Sequence, residues 1–132
     1  MNKNTDLGLL ILRIAIGALM LLHGFAKLKG VSFIEGMLNK NGLPAFLAYG
    51  VYITEIIAPL LIIIGFRTRL ASAIYASGLL FALFLVHSED IFTLTKNGGW
   101  GIELLGLYLF GAIALFFTGG GRMASSSSNK WD

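Results

Sequence analysis

The 132-residue sequence contains no cysteine and few charged residues. Without thiols the chain forms no disulfide, offers no thiolate to a metal and carries no thiol relay of its own. Charged residues make up 13% of the sequence, against about 25% in an average soluble domain. This scarcity argues against a water-soluble protein. It also gives the few charges that lie inside apolar segments unusual weight.

The sequence contains four long apolar runs, and its mean hydropathy is +0.79. Each run has roughly 17 to 22 residues, enough to cross about 30 Å of hydrocarbon. The stretch from Ile57 to Gly65 leaves no face for water, which excludes a soluble four-helix bundle. We predict an all-α membrane protein, an antiparallel bundle of four transmembrane helices in one domain over residues 1–118. The predicted spans are residues 7–25, 45–66, 70–86 and 100–117.

The connections predict the topology. Arg67 and Arg69 lie in a tight basic turn between the second and third spans, where the positive-inside rule has most weight, so both termini are predicted to be cytoplasmic. In the first connection the stretch 33–38 reads as a short half-helix at the outer interface that could cap a cavity. Residues 119–132 are glycine-rich and serine-rich, and we predict a flexible polar tail.

Five ionisable residues lie within or at the rim of the spans. A charge at membrane depth costs roughly 2.5 to 3.5 kcal/mol on insertion scales, so such residues usually face a partner or a wet cavity. Arg13 and Glu55 are predicted at similar depth and are the natural pair. Pro59 cannot donate a helical hydrogen bond to the Glu55 carbonyl, which predicts a kink at that level. The five predicted ligand-binding residues are Arg13, His23, Glu55, His87 and Glu103.

His23, His87 and Glu103 fall near the outer ends of three spans, where they outline a polar funnel open to the outer face. Structural explanations compete with this functional one. In the structural explanation, the Arg13–Glu55 pair serves only to hold two helices together. The histidines could bond to loop carbonyls, Lys27 could extend to the headgroups, and Glu103 could simply be solvated. Convergence of five ionisable groups on one axis favours a binding or proton-handling site.

Several of these residues belong to a longer pattern, which consists of Arg13, Ile16-Gly17, His23-Gly24-Phe25-Ala26-Lys27-Leu28, Glu55-Ile56-Ile57-Ala58-Pro59, Gly65, Thr68-Arg69, His87 and Glu103-Leu104. This pattern resembles the DoxX family of small four-helix bacterial and archaeal inner-membrane proteins. The resemblance covers residues 7–118 and implies redox biology at the membrane. Relatives include a subunit of a thiosulfate:quinone oxidoreductase and a mycobacterial protein that links a superoxide dismutase to a sulfurtransferase. With no cysteine here, sulfur chemistry would have to come from a partner or the substrate.

These observations together predict a plasma-membrane protein that binds a small ligand, a quinone headgroup or a small anion, as a subunit of an oxidoreductase system. A quinone is favoured over haem, for which His23 and His87 would be the axial ligands. No metal site is predicted. Two other functions stay open: a transporter or channel for a small solute, and a scaffold that recruits a soluble redox enzyme. The expected partners are the lipid bilayer, such an enzyme and further copies of the chain, but not nucleic acid.

Overall fold

The computed structural model describes residues 3–132, and within that range the chain forms helices and turns without a β-strand. Three helices are long and apolar enough to cross a membrane, and a fourth apolar helix of 16 residues completes the bundle. The predicted four-helix bundle is therefore confirmed, together with the short helix between its first two spans. The helices are α1 (Thr5–Ala26), α2 (Ser32–Lys40), α3 (Ala45–Ile64), α4 (Thr68–Val86) and α5 (Glu103–Thr118).

The bundle has a terminal end and a loop end. The terminal end holds the start of α1, the turn between α3 and α4, the end of α5 and residues 119–132. The loop end holds α2 and the connection from α4 to α5. At the terminal end Gly65 adopts a left-handed conformation with φ 82° and donates its N–H to the Leu61 carbonyl over 2.8 Å, so α4 turns back against α3.

The inner face of α1 carries small residues and one charge. Its buried residues are Arg13, Ile16, Gly17, Met20 and Gly24, and the three- and four-residue spacing of most of them places them on one inward stripe of the helix. Across the bundle, the buried Tyr75 hydroxyl donates to the Ile16 carbonyl over 2.9 Å and ties α4 to α1. Close packing by small residues also brings α4 against α3, where a Cβ at Gly78 would overlap the Thr54 side chain.

Helix α3 is irregular where Glu55 lies. It begins with a 3-10 segment, and residues 53–57 form one π-helical turn in which Ala58 donates its N–H to the carbonyl of Ile53. Pro59 follows directly and has no N–H for the Glu55 carbonyl. That carbonyl lies against Gly24 of α1, where a Cβ would overlap it. The irregularity arises at the level predicted from Pro59, and single π turns of this kind are frequent at functional sites.

Helix α2 is the predicted interfacial half-helix, somewhat longer than residues 33–38. Its Leu38 is fully buried against Ala48 and the partly buried Leu85, so α2 lies across the loop end of α3 and α4. Helix α5, in contrast, begins at Glu103 and not at Trp100 as predicted. The residues before it form a turn. In this turn the Thr95 N–H donates to the Gly99 carbonyl, and the Trp100 indole N–H donates to the Ile91 carbonyl over 2.5 Å.

Residues 119–132 were predicted to be a flexible tail, but the structure packs them onto the terminal end. The N–H groups of Ser125 and Ser126 donate to the carbonyls of Ile64 and Gly65 over 3.2 and 3.1 Å. The Trp131 carbonyl accepts the N–H groups of Arg69 and Leu70 at the start of α4 over 2.9 and 3.2 Å. The prediction considered only the polarity of the segment. It overlooked that helix ends leave backbone groups without partners, which a polar segment can satisfy.

Candidate functional site

The loop half of the bundle encloses a cavity of about 590 Å³, lined by residues of all five helices. Most of the lining is apolar. Phe33 and Ile34 of α2, the helix that was expected to cap a cavity, line it on one side, and Leu79 and Leu105 line it from α4 and α5. Its size and apolar lining match those of pockets that bury a drug-sized molecule.

An ion pair lines the cavity between α1 and α3. The Lys27 ammonium lies 2.6 and 2.7 Å from the two carboxylate oxygens of Glu55. The Glu55 side chain is 14% exposed and the Lys27 side chain 34%. Tyr52 donates its hydroxyl to the Lys27 carbonyl over 3.0 Å, which fixes the backbone of the short 3-10 turn that continues α1. Because the two charges neutralise each other, the pair offers a ligand polar groups without net charge.

Both histidines line the same cavity. His23 on α1 meets Tyr108 of α5 edge to face, with ring centroids 6.2 Å apart. His87 follows the last residue of α4, and its Nδ1 lies 3.6 Å from a carboxylate oxygen of Asp90. Imidazoles exchange protons near neutral pH, and at the rim of an apolar cavity they can donate to or accept from a bound molecule. The cavity therefore combines an ion pair and two histidines in largely apolar surroundings.

Two of the five predicted residues lie elsewhere. Arg13 is fully buried, and its guanidinium donates to the carbonyls of Ile62 and Ile63 in α3 and Met123 in the tail, over 3.3, 3.1 and 3.1 Å. Glu103 is exposed at the start of α5, and a Cβ at Gly99 would meet its carboxylate. The structure thus groups His23, Glu55 and His87 around one cavity and leaves Arg13 and Glu103 out.

The predicted pairing of Arg13 with Glu55 is wrong. Glu55 packs level with Gly24 and binds Lys27, whereas Arg13 reaches Ile62, seven residues further along α3. Seven residues of helix correspond to about 10 Å, so the two charges lie at different depths. Counting residues from assumed span ends placed them together, because the count took both helices to end at the same depth, whereas Glu55 lies beside Gly24 near the end of α1.

Sequence reasoning missed Lys27 as a site residue and assigned it to the headgroups. A signal was present, since Lys27 follows Gly24 by three residues on the inward stripe of α1, next to the helix that carries Glu55. Tyr75 and Tyr108 were missed too, because an aromatic residue inside an apolar run looks like any core residue. Within residues 3–132 no three histidine, aspartate or glutamate side chains come together in a way that could hold a metal ion.

The chain matches the DoxX family over residues 8–88. It is 33% identical to the "Putative oxidoreductase CatD" of Bacillus subtilis over 92 residues, 70% of this chain and 69% of that protein. It is 32% identical to the inner membrane protein YqjF of Escherichia coli over 89 residues, 67% and 68% of the two chains. An uncharacterized Haemophilus influenzae protein is 34% identical over 126 residues, 91% and 87%. No solved structure matches. The chain belongs to the DoxX family of membrane proteins.

Proposed function

We propose that the protein is a ligand-binding subunit of a membrane redox system and that its cavity takes a neutral, lipid-soluble molecule with polar oxygens, of which a quinone is the clearest example. The observation that carries this proposal is the Lys27–Glu55 pair inside a largely apolar cavity of about 590 Å³. The name of the Bacillus relative supports a redox role.

The lining of the cavity favours a neutral ligand over the small anion that the sequence left open. An anion would have to compete with Glu55 for the Lys27 ammonium, and it would lose its hydration in apolar surroundings. A quinone carbonyl can accept a hydrogen bond from Lys27 while the ion pair stays intact, because an ammonium has three donors and Glu55 occupies two. The rest of such a molecule would contact apolar side chains.

In this proposal His23 and His87 handle protons at the rim of the cavity. Reduction of a quinone to a quinol consumes two electrons and two protons, and imidazole side chains can relay protons. The electrons would come from a partner enzyme in or at the membrane. We assign no ligand contact to Arg13 or Glu103.

Retained quinone tests the proposal. Protein extracted from its own membranes in mild detergent is analysed by chromatography of its organic extract, for the wild type, Ala82→Phe, Lys27→Met and Lys29→Met. Ala82 lines the cavity, so phenylalanine there should displace the quinone, and Lys27→Met should weaken its retention about tenfold. Lys29 lies outside the lining and serves as the matched control. Equal quinone content in all four proteins would contradict the proposal, as would its absence from the wild type.

We also propose that the terminal end is cytoplasmic, on the strength of Arg67 and Arg69 at the start of α4. The chain has no cysteine, so a single introduced thiol reports its own location. Ser127 and Asn41 are exposed at opposite ends of the bundle. On intact cells a membrane-impermeant thiol reagent should label Asn41→Cys and spare Ser127→Cys until the cells are opened. The reverse pattern would invert the orientation.

A further inference from the structure

A second depression lies at the terminal end, across the bundle from the cavity. It encloses about 310 Å³ between the start of α4, the end of α5 and the packed tail. Three cationic residues line this terminal basin: Arg69, Arg122 and Lys130. Nothing in the proposed function uses it. Its lining is polar where that of the cavity is apolar, so a different class of ligand is expected.

Within residues 3–132 the lining of the terminal basin has three cations and two carboxylates. Arg69 donates to the carbonyls of Phe116 and Lys130 over 2.7 and 2.8 Å, and none of the three forms an ion pair in that range. The two lining carboxylates have other partners. Asp6 accepts the backbone N–H of Arg122 over 2.9 Å, and Asp132 binds Arg67 over 3.0 Å. Because the cations outnumber the carboxylates and Asp132 is already paired with Arg67, the basin keeps a net positive charge that attracts an anion.

An apolar track leads from this positive surface along the bundle. Phe117 lines the basin and is 75% exposed, and Phe110 and Ile113 precede it on the same face of α5 with 60% and 37% exposure. A molecule with a phosphate head and acyl chains would place the head among the cations and one chain along this track. Basic pockets at the ends of membrane-spanning helices recognise lipid headgroups in this way. Free phosphate would gain nothing from the track.

We propose that the terminal basin binds the headgroup of an anionic phospholipid, with Arg122 and Lys130 contacting the phosphate and Arg69 lining the base. The site is independent of the cavity and of any ligand there. The side chains of Arg122 and Lys130 make no hydrogen bond within residues 3–132, and Lys130 lies only over the ring of its exposed neighbour Trp131, so replacing both should leave the fold intact. This makes them suitable positions for a test.

Native mass spectrometry of the detergent-solubilised full chain, with added phosphatidylglycerol or phosphatidylcholine, measures lipid retention. The double variant Arg122→Gln/Lys130→Gln should bind phosphatidylglycerol about 25-fold more weakly, since each cation near a membrane surface contributes about fivefold. Phosphatidylcholine binding should not change. The control Lys29→Gln/Lys40→Gln removes the same charge at the loop end and should retain phosphatidylglycerol like the wild type.

A second variant separates a lipid from a free anion. Phe117→Ala should weaken retention of phosphatidylglycerol while leaving the cations in place, and inorganic phosphate should not displace the bound lipid. Unchanged phosphatidylglycerol binding in Arg122→Gln/Lys130→Gln would overturn the proposal. An equal loss in the loop-end control would also overturn it, because the attraction would then be nonspecific. Displacement of the lipid by inorganic phosphate would assign the basin to a soluble anion instead.

Discussion

The two ends of the bundle each hold intramembrane charge, but they hold it differently. At the terminal end Arg13 is fully buried and donates to three backbone carbonyls. Two of them belong to the end of α3 and one to the tail, so Arg13 links these segments to α1. At the loop end Lys27 and Glu55 remain partly exposed to a cavity. An ionisable residue at membrane depth is therefore a candidate for ligand binding only if its environment leaves room for a ligand. Charge alone does not distinguish the two cases.

The largest effect is expected from Arg13→Ala. It removes the donors of three carbonyls and leaves a space where a large side chain was fully buried, so we expect a loss of about 3 to 5 kcal/mol in the free energy of unfolding. Arg13→Lys should lose less, because it keeps the charge but not the planar donors. Denaturant titration in detergent micelles measures both. Lys29→Ala, on an exposed residue, is the control and should stay within about 0.5 kcal/mol.

A smaller loss for Arg13→Ala, below about 1 kcal/mol, would contradict the structural role of Arg13. The ligand assay provides the second half of the test. Since Arg13 does not line the cavity, Arg13→Lys protein that remains folded should retain as much quinone as the wild type. Loss of quinone from a folded Arg13→Lys protein would show that Arg13 does affect ligand binding in the cavity.

An intermediate effect is expected at the loop end from a double-mutant cycle. Lys27→Met and Glu55→Gln should show a coupling energy of about 1 to 2 kcal/mol, because the partners are in contact and only partly exposed. The matched cycle pairs Glu55→Gln with Arg13→Ala, and those losses should add within about 0.5 kcal/mol since the groups do not touch. Coupling of Glu55 to Arg13 instead of Lys27 would restore the pairing predicted from the sequence and contradict the structure.

Some features of the bundle could be predicted from the sequence, and others could not. Span number, the half-helix between the first two spans, the inward stripe of α1 and the irregularity before Pro59 all follow from hydropathy, spacing and the missing proline N–H. These properties are local in the chain. The partner of Glu55 depends on the register between α1 and α3, and that register is set by the close contact of Gly24 with the Glu55 carbonyl. A contact of this kind has no signature in one sequence.

The tail was also predicted only in part from the sequence. Its polarity correctly excluded a membrane span, yet its backbone groups pair with the ends of α3 and α4. Asp132 holds it together by accepting bonds from Ser126, Asn129 and Arg67 over 2.5, 2.9 and 3.0 Å. These bonds, that from Ser126 foremost, hold the pKa of the Asp132 carboxyl well below its ordinary value of 3.8.

The depressed pKa predicts a small and specific pH response at the terminal end. A carboxyl whose pKa is lower in the folded state stabilises the fold above its unfolded pKa, and it loses that contribution only as pH falls through the folded value. The tail should therefore stay packed from pH 7 down to about pH 4.5. Hydrogen exchange of residues 125–129, followed by mass spectrometry, should be equally protected at both values after correction for intrinsic rates. Asp132→Asn should exchange faster at both, and tail opening between pH 7 and 4.5 in the wild type would contradict the assignment.

The smallest expected effects separate two residues that the sequence grouped in one funnel. His87 lines the cavity and Glu103 does not, so His87→Asn should weaken quinone retention about two- to tenfold while Glu103→Gln should leave it unchanged. Both proteins should unfold within about 0.5 to 1 kcal/mol of the wild type, because neither side chain is buried. Equal weakening by both changes would return Glu103 to the site and extend the cavity toward the start of α5. If neither change had an effect, the rim histidine would lie outside the ligand's reach, and the polar contacts would be confined to Lys27, Glu55 and His23.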